Sequence, residues 1–103
     1  MYFRITADSA DLVDPQDVTA FHVVCPYGLS GDDLIAAVRR ADIGEVLADG
    51  EHVMVLVSTI RLMAADRVGP GWSDAFTAML DYAESKGWTD KDRARVRAHI
   101  ERN

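Results

Sequence analysis

No apolar run in this chain is longer than five residues, a length reached at residues 53–57. A membrane-spanning helix needs about 20 consecutive apolar residues, so the apolar side chains must be shared among short amphipathic elements. They make up 49% of 103 residues, beside 27% charged residues. That balance is close to the globular average and too apolar for an extended disordered chain. The length suits one domain, which buries roughly 60–70% of the surface of its unfolded chain.

The spacing of the apolar residues predicts the elements. Residues 2–7 read as a strand, with Phe3 and Ile5 on one side and Tyr2 and Arg4 on the other. Residues 8–17 read as a polar connection containing Asp14-Pro15, and residues 18–25 as a second strand pairing with the first in an antiparallel hairpin with a long loop. Ser30 is placed to cap a helix carrying Leu34, Ile35, Ala37, Val38 and Ala41, with Gly44 as its stop. Val46-Leu47-Ala48, Asp49-Gly50 and residues 53–57 predict a hairpin with a type I′ turn. Its second arm lacks alternation and reads as a central strand covered on both faces.

Ser58 is placed to cap a helix over residues 59–67, and Ser73 one that runs to Lys86. Gly87 suits the left-handed residue after that helix, with Trp88 folding back on Ala83 or Tyr82. Trp72, Phe76, Tyr82 and Trp88 form an aromatic group around it, read as core packing. From about residue 95 to 101 the period is two: Ala94, Val96, Ala98 and Ile100 share one side, and Arg93, Arg95, Arg97 and His99 the other. The expected fold is α+β, a small and mostly antiparallel sheet of three to five strands with about three helices on one face, in the order β-β-α-β-β-α-α-β. The expected core is Phe3, Ile5, Phe21, Val23, Leu34, Val38, Val53, Val55, Ile60, Met63, Phe76, Leu80, Trp88 and Val96.

Several chemistries find no frame. Cys25 is the single cysteine, so no internal disulfide forms, and a structural zinc site normally takes two to four cysteines. His22 and Cys25, three apart on a strand, point to opposite faces and cannot share a metal. Asp8, Asp11, Asp14 and Asp17 lack the alternate spacing and glycine of a calcium loop and read as turn formers. No Gly-x-Ser-x-Gly elbow or phosphate loop occurs. The expectation is therefore no cofactor, no metal and no assigned catalytic residue.

The net charge of −6 repels phosphate backbones, so no nucleic-acid partner is expected. Residues 1–89 hold six basic and fourteen acidic side chains, whereas residues 90–103 hold five basic and three acidic. Nine arginines against two lysines fit the coding bias of a GC-rich bacterial genome. Residues 1–5 have no basic stretch followed by an apolar one, which predicts a cytoplasmic protein without a secretory signal or membrane partner. In the predicted sheet Arg4, His22, Arg95, Arg97 and His99 face away from the helices, a surface suited to a carboxylate or phosphate. The leading functional expectation is a non-enzymatic interaction or regulatory module that self-associates as a homodimer, with a protein partner as a further possibility. The alternatives are small-molecule or anion binding on the Arg/His face, and inhibition of a basic partner protein through the acidic residues 8–17.

Overall fold

The computed structural model describes all residues, 1–103. Six strands form one sheet: β1 (Tyr2–Ile5), β2 (Ala10–Val13), β3 (His22–Cys25), β4 (Gly44–Val46), β5 (His52–Leu56) and β6 (Arg95–Arg102). Three helices complete the fold: α1 (Gly31–Ala41) between β3 and β4, and α2 (Val57–Ala64) and α3 (Trp72–Ser85) between β5 and β6. No helix is long and apolar enough to cross a membrane.

The class is α+β and the predicted elements occur in the expected order, but the sheet is mixed. Its strand order is β2-β1-β3-β6-β5-β4. The β1–β2, β4–β5 and β5–β6 pairs are antiparallel, while β1–β3 and β3–β6 are parallel. The expected hairpin between the first strand and residues 18–25 gives way to parallel pairing because β2 takes the hairpin position on β1. This strand lies inside the stretch that reads as a polar connection. Its alternation is real but short: Leu12 is buried opposite Phe3, while Asp11 faces water opposite Arg4. Asp14 takes a left-handed φ of 50° in the turn that follows.

Every fully buried strand side chain belongs to one face of the sheet, including Phe3, Leu12, Val23, Val53, Val55, Val96 and Ala98. These residues join Leu34 and Val38 of α1, Ile60 and Ala64 of α2, and Phe76 and Leu80 of α3 in one core of 22 buried residues. Each large apolar side chain so enclosed contributes about 1.5–3 kcal/mol. Phe21, Met63 and Trp88, expected inside, pack against this core half-buried. The strand at residues 53–57 is not central: β5 is next to the β4 edge, with His52, Met54 and Leu56 half-exposed on the side without helices.

Local chemistry explains the element ends. Ser30 occupies the N-cap position of α1 without a side-chain cap bond. Ser58 and Ser73 are not caps, because α2 begins directly after β5 and α3 follows Gly71 at φ 86°. At the other end of α3 the expected geometry is present. The Gly87 and Trp88 amides donate to the Glu84 and Ala83 carbonyls at 3.0 and 2.9 Å, a Schellman closure. Gly50 is left-handed at φ 69° but Asp49 is not, so the β4–β5 turn is not type I′.

Asp42, at φ 55°, ends α1 instead of Gly44. Gly44 opens β4 opposite Val55, where an added Cβ would stand 2.0 Å from the Met54 carbonyl oxygen. Backbone cannot yield as a flexible side chain does, so Gly44→Ala is expected to destabilise by about 2–3 kcal/mol, on the order of 10–20 °C in Tm. Thermal and urea denaturation followed by circular dichroism will measure it.

Candidate functional site

The side of the sheet opposite the helices carries the five residues that the sequence singles out. Because strand side chains alternate, residues 95, 97, 99 and 101 of β6 all project from this side, with β3 and β5 as neighbours. Pairing across the sheet builds a row of Val13, Tyr2, His22, His99 and His52 on β2, β1, β3, β6 and β5. A second row holds Asp11, Arg4, Val24 and Glu101. On the other side of the histidines, Arg97 lies opposite Met54, and Arg95 opposite Leu56.

The five predicted residues therefore share one face but do not form one cluster. Arg4, His22 and His99 are linked by stacking. The Arg4 guanidinium lies 5.9 Å from the Tyr2 ring centre and donates to the Tyr2 hydroxyl at 3.2 Å. Tyr2 stacks on His22 at 5.1 Å, and His22 on His99 at 5.6 Å. Arg97 sits apart, half-buried on the Trp88 ring at 5.7 Å. Arg95 is exposed and has no side-chain partner within bonding distance. Arg93, which the period-two pattern groups with these side chains, precedes the strand at φ 56° and pairs with Asp81 at 2.7 Å.

Glu101 is the residue that the sequence reading omits. Its two carboxylate oxygens meet His22 Nε2 at 3.1 Å and His99 Nε2 at 3.2 Å. The imidazoles are nearly parallel, 26° apart, so their nitrogens address the two oxygens of one carboxylate side by side. This is anion geometry: parallel rings do not converge their lone pairs on a single ion, and no group of three His, Cys, Asp or Glu side chains is arranged to hold a metal. Nor do the histidines have a thiol to activate. Cys25 is on the helix side, 1% exposed, and burial pushes its pKa up while the Arg102 charge opposes that shift only in part. The period that puts Arg95, Arg97 and His99 on one side reaches Glu101 two residues later, so its place was available from the same pattern.

A cleft opens beside Arg97 because β6 changes neighbours there. Toward its end β6 pairs with β3, from His99 to Arg102. Nearer its start it pairs with the segment that leaves α3: Thr89 bridges Val96, and the Arg97 amide donates to the Trp88 carbonyl at 2.7 Å. Between these partners is a cleft of about 250 Å³. Arg97, His99 and His52 line it from the helix-free side, and Met79, Ala83 and Val96 from the core side. Phe21, Tyr82 and Trp88 form its walls. The expected aromatic group is thus divided. Trp72 stacks on Phe76 in the core at 4.8 Å, whereas Tyr82 meets Trp88 edge to face at 5.9 Å around the cleft.

The face is balanced in charge although the chain is not. Its rows hold Arg4, Arg95 and Arg97 against Asp11, Glu45 and Glu101, with three histidines, in a protein of net charge −6. The guanidinium of Arg97 has no carboxylate within 4.0 Å, in contrast to Arg93. Comparisons with protein-family models, curated proteins and solved structures find no match for this chain.

His52 at the cleft is oriented by the preceding turn. The Asp49 carboxylate accepts from the Glu51 amide at 2.8 Å, the His52 amide at 3.2 Å and His52 Nδ1 at 2.7 Å. The Glu51 amide bond, then the His52 ring, hold Asp49 below its ordinary value of 3.8. A lowered folded-state pKa stabilises the fold at pH above the ordinary value, and that contribution is lost as the pH falls through the lower folded value. Asp49→Ala is therefore expected to melt below the parent at pH 7 and to approach it in the acid limb below pH ~4. Melting curves of both proteins from pH 2 to 7 will test this; a constant difference across that range would contradict it.

Proposed function

We propose that this protein is a non-enzymatic binding module that takes a small anion on its helix-free sheet face, with Arg97 and His99 as the contact residues. The observation that carries this reading is the Arg97 guanidinium. It is half-buried beside a cleft and lies on Trp88 with no carboxylate partner, in a chain with 17 acidic and 11 basic residues. A cation that has lost part of its water ordinarily sits with an anion. Arginine's planar fork matches two oxygens of a carboxylate or phosphate. The His22–Glu101–His99 contacts supply a second argument, since the neighbouring part of the same face already grips a carboxylate. Arg4 and Arg95 add positive potential at the margins of the face.

A hydrogen bond to a charged group is worth about 1.5–3 kcal/mol, so Arg97→Ala is expected to weaken anion binding by about tenfold or more. Acetate and inorganic phosphate titrations, read by NMR at the Arg97 and His99 signals, will measure it. If no carboxylate or phosphate anion moves those signals, or if Arg97→Ala leaves the affinity unchanged, the reading fails.

Self-association through the same face is a second reading. It is favoured by Tyr2, Val13, Val24, Met54 and Leu56, five half-buried apolar or aromatic side chains on the side without helices. A dimer formed there would protect the Tyr2 and Arg95 amides from exchange and show twice the chain mass in a native mass spectrum. A monomer at micromolar concentration removes this reading.

A further inference from the structure

We infer that the cleft beside Arg97 takes a small aromatic monocarboxylate, with its carboxylate at Arg97 and its ring between Trp88 and Phe21. This rests on the anion-binding reading above and adds the chemistry of the rest of the ligand. Three observations lead to it.

The first is the polarity gradient. The basic side chains of the cleft, Arg97, His99 and His52, stand on its helix-free side, while Met79, Ala83 and Val96 close it toward the core, and Thr19 and the exposed Tyr82 are its other polar-bearing residues. A ligand that fills this space needs a charged end at the mouth and an apolar body inside. The second is the wall chemistry. Tyr82 and Trp88 stand edge to face at 5.9 Å, and Tyr82 is 58% exposed although it is part of an apolar wall. Aromatic walls in this arrangement favour a flat ring over a saturated chain, because an inserted ring gains stacking or edge contacts beyond its buried area.

The third is size and charge. About 250 Å³ is below the roughly 300–1,000 Å³ of sites for drug-sized ligands, so it suits one or two rings and excludes a nucleotide. One permanent cation at the mouth matches a single negative charge. A doubly charged phosphate would work against both the Glu101 carboxylate on the same face and the net charge of −6.

The two tryptophans provide a reporter and its control. Trp88 lines the cleft, whereas the Trp72 indole N–H is buried and donates to the Pro15 carbonyl at 2.6 Å. The experiment titrates the full chain with benzoate, 2-naphthoate, hexanoate, acetate, inorganic phosphate and the uncharged benzamide, following both indole N–H signals by NMR. The expected result is that benzoate and 2-naphthoate move the Trp88 signal and leave Trp72 in place. Each should bind at least tenfold more tightly than acetate, phosphate, hexanoate or benzamide. Arg97→Ala should lower benzoate affinity tenfold or more, with Arg97→Lys intermediate because it retains charge without the fork. An unmoved Trp72 signal in each variant shows that the core is intact.

If hexanoate matches benzoate, or acetate and phosphate match it while still depending on Arg97, aromatic selection is wrong and the anion-binding reading survives. If benzamide matches benzoate, the carboxylate assignment is wrong. If no probe moves Trp88 or His99, both readings are overturned.

Discussion

The strand Arg95–Arg102 is the last in the chain and lies between two strands that come far earlier in the sequence. Its pairing with β3 and with β5 joins the β2-β1-β3 half of the sheet to the β5-β4 half. Because its side chains alternate, one register decides two outcomes together. Val96 and Ala98 go into the core, and Arg97, His99 and Glu101 go to the open face. A slip of one residue would bury charges and expose the core positions, so burial of Val96 and Ala98 is what holds the charged row in place. The Asp90 carboxylate helps to set that register by accepting from the Ala94 and Arg95 amides at 2.8 and 3.1 Å, just where the strand begins.

The cleft is a consequence of how β6 acquires partners on its β3 side. Two segments with different histories share that edge: β3, and the turn that leaves α3 through Gly87. The Schellman closure aims Trp88 back toward α3, and the bridge at Thr89 keeps its ring beside Arg97. A continuous β3 would have covered the gap. Instead β3 begins at His22, and Phe21 leans toward Phe3 at 6.3 Å, leaving the space beside Trp88 open. The Tyr2–His22–His99 stack and the Glu101 carboxylate brace the opposite side of the histidines. The cleft is thus bordered on one side by paired groups and on the other by Arg97, a cation with no carboxylate beside it.

What was legible in the sequence follows from the range of the interactions involved. The last strand, the closure of α3 at Gly87 and half of the 22 core residues could be read because they depend on alternation, helical spacing or a single left-handed glycine. The β2 strand was hidden because Asp11 and the flanking Asp8 and Asp14 carry turn signals and only Leu12 is fully buried. The serine caps failed for a different reason. Chain direction from the preceding strand fixes where α2 starts, and Gly71 fixes where α3 starts, so the serines fall within the first turns. Glu101 was within reach of the period-two argument, but its role as the carboxylate between two histidines required knowing that β3 lies beside β6.

By itself, the sequence determined the α+β class, the order of the predicted elements and the fact that Arg4, His22, Arg95, Arg97 and His99 belong to the same side of their strands. These are properties of residue period and local backbone preference, which each segment carries wherever it docks. Tertiary structure alone decided the parallel pairing of β1, β3 and β6, the contact of His22 and His99 with one carboxylate, and the cleft between Trp88 and the residues 19–21 that lead into β3. Those outcomes depend on which strands become neighbours. That choice is made by burying one shared apolar face among segments distant in sequence, and no local pattern specifies it.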